Sequence, residues 1–283
     1  MKLSTFAIVC ALGLNCTAFA HGDDHHHHHK EQNAVLKSPG VDALKNGDLQ
    51  TAEKLLRGEL EKDPGNPRLK TVYSGLKVTL RRVSLFEQEK NPDIAVRLGR
   101  QIRGFYLRYG LFERTLEVDR RICELQPNDA NTVSCAVTLL NLDRNNEAAA
   151  LFSKTDLAGA KPGTVLCAAL AYARIGDRER AAKLYLRFPM DKMKLNELKL
   201  CSRAAAVNGD KDIAVNAVRL IMKQSPDHQR QTLNKQWFPV RDYDKIRSTP
   251  EFQAALATPA DPDARCEDCP NRHAGHGNDR HRH

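Results

Sequence analysis

The sequence predicts an all-α protein, a run of helix pairs between two histidine-rich tails. Three observations predict it. Residues 33–256 alternate apolar and polar side chains at helical spacing, with short Gly, Asn or Pro breaks and no strand-like alternation. Short glycine turns recur at Gly47-Asp48, Gly110-Leu111, Gly176-Asp177 and Gly209-Asp210, at gaps near 33 residues or twice that. Residues 21–32 and 257–283 are polar, rich in histidine, and lack apolar periodicity.

Residues 1–20 read as a secretory signal. Lys2 supplies the positive start, and Phe6 to Leu14 form an apolar stretch too short to span a bilayer. Ala18-Phe19-Ala20 is a small-x-small cleavage site, so the mature chain is expected to begin at His21. Neither Cys10 nor Cys16 follows a small residue, which argues against lipidation. No later segment reaches 18 consecutive apolar residues, so no transmembrane segment is expected in the mature chain. The expected location is periplasmic or secreted.

Of 283 residues, 41% are apolar, enough for a core, and the formal net charge is +9. A basic balance suits nucleic acid, anionic lipid or acidic proteins, or serves solubility alone. Export argues against chromosomal DNA, so no nucleic-acid partner is expected. Six of the eight cysteines remain after cleavage, in a compartment that allows disulfides.

The folded part is expected over 33–256. In Thr51–Glu61, Ala52, Leu55, Leu56 and Leu60 fall on one helical face, and Asp63-Pro64 stops the helix. Five residues after Gly47, Gly176 and Gly209 stand Ala52, Ala181 and Ala214; Thr115 takes that place after Gly110. Pro64, Pro127 and Pro226 follow the second helices. Between Pro64 and Gly110 there is room for one more pair, near 66–90 and 92–109.

These residues resemble the tetratricopeptide repeat, a helix–turn–helix unit of about 34 residues. One unit offers Val165, Ala168-Ala169 and Tyr172, then Ala181 and Tyr185. The next offers Leu198, Cys201-Ser202 and Ala205, then Ala214, Val218 and Pro226. Earlier ones give Gly40, Ala43, Ala52, Leu56 and Pro64, and Tyr106, Gly110, Thr115 and Pro127. The pattern departs in two ways. No unit carries the family's tryptophan, and the unit around Arg144-Asn145-Asn146 lacks the turn glycine. The resemblance covers about residues 33–228. It implies an α-solenoid of five or six helix pairs. Gln236–Val240 and Ile246–Phe252 look like the segment that closes such arrays, with Trp237, Phe238 and Phe252 covering the last apolar face. An aromatic ligand patch is the other reading of those rings.

The resemblance further implies binding of a protein or peptide on the first helices. Their inward faces pick out Arg97, Arg100, Arg108, Arg174, Lys199 and Arg203. Between Pro67 and Arg121, 13 Lys or Arg stand against 6 Asp or Glu. Guanidinium groups grip carboxylates with paired hydrogen bonds, so an acidic peptide or a C-terminal carboxylate is the expected occupant. An ordinary solvated face is the alternative.

The tails carry metal ligands. His21 is followed by His25, His26, His27, His28 and His29, interchangeable chelators for zinc, copper or nickel. An expression tag would look similar, but tags rarely follow an intact signal. After cleavage, the α-amine and imidazole of His21 could chelate together. The C-terminal tail offers Cys266, Cys269, His273 and His276, the donor mix of a tetrahedral zinc site, with His281 and His283 beyond. A Cys266–Cys269 disulfide is the alternative. Pro270 excludes a c-type haem motif. No cofactor is needed for the fold. Cys135, Cys167 and Cys201 recur at one place in successive first helices and read as core residues, while Cys123 and Cys135 could pair. No nucleophile elbow, phosphate loop or zinc-protease motif occurs, so no enzyme is expected. The readings are an exported scaffold with metal-binding ends or, alternatively, a metal-storage or metallochaperone protein with the helices as a spacer.

Overall fold

The structure is a computed structural model that describes residues 38–264. Among the described residues there are thirteen α-helices and no strand, so the chain is all-α. The helices are α1 Pro39–Lys45, α2 Leu49–Lys62, α3 Pro67–Gln88, α4 Pro92–Arg108, α5 Phe112–Leu125, α6 Asp129–Asn141 and α7 Asn145–Phe152. They continue with α8 Pro162–Arg174, α9 Arg178–Tyr185, α10 Leu195–Asn208, α11 Lys211–Gln224, α12 Asp227–Thr232 and α13 Pro250–Leu256. None of them is long and apolar enough to cross a membrane.

The chain falls into two compact units that divide between Ala160 and Lys161, where the sequence suggested one domain over 33–256. The signal segment, the histidines of both tails and Cys266 and Cys269 lie outside the described residues. The C-terminal tail was expected to start at 257. Residues beyond that point are still held, because Arg230 Nη2 donates to Thr258 O and Asp261 N donates to Lys223 O at 2.8 Å.

Glycine builds the turns. Gly47, Gly110, Gly176 and Gly209 all have positive φ, between 72° and 93°. Each stands just past the end of a helix, where a left-handed residue lets two amides turn back onto orphan carbonyls. Gly47 N reaches Leu44 O at 2.9 Å, and Asp48 N reaches Ala43 O at 3.1 Å. The longer of these bonds recurs as Leu111 N to Tyr106 O, Asp177 N to Tyr172 O and Asp210 N to Ala205 O. It also recurs where the sequence shows no glycine, as Arg144 N to Leu139 O at 2.9 Å. There Asp143 takes the left-handed conformation, with φ 57°. Aspartate is among the few residues that tolerate it. The turns at 110, 143, 176 and 209 are therefore spaced by 33 residues.

Small residues then let the paired helices close. Ala52, Thr115, Ala181 and Ala214 are all fully buried, and Ala148 holds the same place after Asp143. At the start of the chain the approach is tighter still, since a Cβ on Gly40 would lie 2.6 Å from Leu56 Cγ. The pair expected near 66–90 and 92–109 appears as α3 and α4. Because α4 turns through Gly110 into α5, it is the first helix of the next pair, and α3 stands as a single long helix.

In the first unit each helix from α1 to α7 packs on the next. Its core runs through Leu44, Leu56, Leu76, Ile102 and Ile122 to Leu139 and Phe152. Asparagine caps with proline following fix two of the helix starts, Asn66-Pro67 for α3 and Asn91-Pro92 for α4. In the second unit α8 packs on both α9 and α10, and α10 on α11. Residues Val165–Ala173 of α8 and Leu200–Ala206 of α10 are buried without a break. A helix buried all round sits inside a core rather than lining an open face. Phe238, Tyr243 and Phe252 close the unit as a ring cluster, with centroids 5.4 to 6.0 Å apart.

A Cβ on Gly176 or Gly209 would meet nothing within 4 Å, so alanine there strains only the backbone. Gly176→Ala and Gly209→Ala are each expected to cost about 1–2 kcal/mol, the penalty of a left-handed L-residue. Urea denaturation of each variant measures it.

Candidate functional site

The six basic residues picked out on the first helices divide between the units. Arg174, on α8, and Lys199 and Arg203, on α10, lie in the second. They converge on the segment between α12 and α13, which passes through a π-helical turn at Leu233–Trp237 and a 3-10 turn at Arg241–Tyr243. The second turn packs on α10.

At the centre is Asp242. Arg203 Nε donates to its Oδ2 at 2.6 Å. Arg174 grips both oxygens, Nη2 to Oδ2 at 2.9 Å and Nε to Oδ1 at 3.2 Å. All three side chains are almost out of water, at 8%, 7% and 3% exposure for Arg174, Arg203 and Asp242. Burial pushes the Asp242 carboxyl up, but Arg203 and Arg174 outweigh it, and the group is held below its ordinary value.

The surroundings bind the same segment by other chemistry. Trp237 lies under two cations, Lys199 Nζ and Arg203 Cζ, each 5.2 Å from its ring centroid. Ser202, one residue before Arg203, shares a 2.6 Å hydrogen bond with the Tyr243 hydroxyl. Burial pushes that phenol up to about 12. Sequence reasoning gave Ser202 only as a repeat position and missed Asp242 and Tyr243. The face it drew as an open groove in this unit is filled by the chain's own acid and aromatic ring.

The first unit differs. Arg97, Arg100 and Arg108 fall along one stripe of α4, with Gly104 between them, and all are exposed. Arg100 Nη2 reaches Gln126 Oε1 at 3.2 Å and Asn131 Oδ1 at 3.4 Å, which ties the stripe to the start of α6. Arg103, one turn round the helix, faces inward. It pairs with buried Asp119 at 2.7 Å, and Thr138 donates to the other oxygen at 2.6 Å. Here burial wins over Arg103 and Thr138, and the Asp119 carboxyl is raised.

Two arrangements recur between the units. Arg108 stands two residues before Gly110, as Arg174 stands before Gly176. Arg100 stands ten residues before Gly110, as Lys199 stands before Gly209. No group of three or more His, Cys, Asp or Glu is placed to hold a metal among the described residues. The predicted metal ligands His21, His25, His26, His27, His28, His29, Cys266, Cys269, His273, His276, His281 and His283 lie outside those residues. No family model, curated protein or solved structure matches the chain.

Asp242→Asn removes the one negative charge between two buried guanidiniums. It is expected to destabilise the second unit by about 3–5 kcal/mol at neutral pH. The folded-state value is depressed, so the stabilisation is complete above the unfolded value of about 4 and is lost as pH falls through the folded value. Paired melts of wild type and variant check both points: the gap should narrow below about pH 4.

Proposed function

We propose that this protein is an exported interaction scaffold of tetratricopeptide-like helix pairs. Its arginine-bearing first helices take an acidic segment or C-terminal carboxylate of a partner protein, and its histidine-rich ends bind transition metal. The observation that carries the reading is the capture of Asp242 by Arg174 and Arg203. It is a worked example, inside the molecule, of the recognition that arginines on these helices offer. In the second unit the chain supplies its own acid. In the first, Arg97, Arg100 and Arg108 present guanidinium groups at the surface. Arg108 shares the register of Arg174, while Arg100 shares that of Lys199, which lies over Trp237 rather than on Asp242.

Exposed ion pairs contribute about 0–1 kcal/mol each and are screened by salt. Binding at this stripe is therefore modest and falls as ionic strength rises. The test is a fluorescent peptide with acidic side chains and a free carboxylate, titrated with the full mature chain. The triple charge reversal R97E/R100E/R108E should weaken it at least roughly tenfold, equivalent to about 1.4 kcal/mol. Equal affinity in a variant that melts like wild type sinks the proposal.

The metal role rests on the sequences of the tails. Calorimetric titration of untagged, secreted protein with zinc, copper or nickel, read alongside mass spectrometry, should show uptake at micromolar metal and a chain starting at His21. No uptake at that level refutes it. Deleting both tails should abolish uptake and leave peptide binding intact. Loss of both would favour the metal-storage reading instead.

A further inference from the structure

Cys123 and Cys135 have no part in the scaffold reading. Cys123 lies on α5 and Cys135 on α6, helices that pack together. Both line one cleft of about 370 Å³, together with Arg120, Thr132, Glu147 and Leu151. The two thiols lie close enough to perturb each other. Both are free thiols, with Cys123 half-buried and Cys135 at 4% exposure.

We propose that Cys123 and Cys135 form a dithiol site that reacts by exchange with disulfides of small thiols or of exposed protein segments. The cleft gives the incoming disulfide room at the more exposed sulfur. Cys123 is the attacking group and Cys135 the resolving one. The order follows exposure, since Cys123 is half-buried and Cys135 almost out of water. The neighbouring Cys135 thiol lowers Cys123, while Cys123 and burial together raise Cys135.

The chemistry balances without a metal. The Cys123 thiolate attacks one sulfur of R–S–S–R, the S–S bond breaks, and R–S⁻ leaves with the electron pair. Cys135 then loses its proton, and its sulfur attacks Cys123 Sγ in the mixed disulfide, expelling the second R–S⁻. The two protons from the protein thiols end on the two released thiols. The protein dithiol is oxidised and the small disulfide is reduced. The product ties α5 to α6 across the 126–128 connection. Cys167 and Cys201 lack this access, at 1% and 0% exposure, and burial pushes Cys201 up to about 12.

The test treats the full mature chain with oxidised glutathione under native conditions, alkylates the remaining thiols and maps the peptides by mass spectrometry. Wild type should yield a Cys123–Cys135 bridge, with Cys167 and Cys201 unmodified. C135S should lose the bridge and accumulate a glutathione adduct on Cys123. C123S should lose the bridge and carry no adduct on Cys135. Circular dichroism checks that each variant folds, and the wild-type map needs no variant at all. The proposal is overturned if wild type leaves Cys123 and Cys135 unlinked, or joins Cys123 to Cys266 or Cys269. A folded C135S that stays unmodified at Cys123 overturns it too.

Discussion

Two helices joined by a short turn can lie together only where something small stands at their crossing. That steric constraint governs the whole architecture. Each pair places a left-handed residue at the turn and a small buried residue five positions later, from Gly47 and Ala52 to Gly209 and Ala214. The turn closes the orphan carbonyls of the first helix, and the small side chain sets how near the second can come. Larger residues such as Leu56, Phe152, Tyr185 and Val218 then fill the space that this spacing leaves.

Charge is handled differently in the two carboxylates that are buried among the described residues. Asp119 meets one guanidinium and one hydroxyl, and burial prevails. Asp242 meets two guanidiniums, one of them two-pronged, and the ion pairs prevail. The count of cations decides the sign, because desolvation opposes the charge in both. Asp242 also fixes the register of its segment. Beside it, Trp237 lies under Lys199 and Tyr243 against Ser202.

Much of this was legible in the sequence. Glycine after an amphipathic run has few other meanings, so the four turn glycines stood out. Asp143 did not, because an aspartate that adopts a left-handed turn looks like any surface acid. The basic positions of the first helices were also readable from helical spacing. Their partner was not. Asp242 lies 39 residues from Arg203 and 68 from Arg174, with no periodic pattern joining them. Only the folded chain brings the closing segment back over α10. The apolar role of Trp237 was foreseen, but the cations above it were not. The nearness of Cys123 and Cys135 was readable because a short connection joins their helices.

The repeated turn also decides where this chain can change length. One residue added inside a helix, between turn and crossing, rotates everything beyond it by roughly 100° and carries the alanine off the contact. Five pairs with the same turn geometry therefore leave five places closed to insertion. Residues 153–161, between α7 and α8, lie outside the helices, where an added residue rotates no helical face. The same arithmetic that closes the hairpins to added length therefore does not apply to that connection.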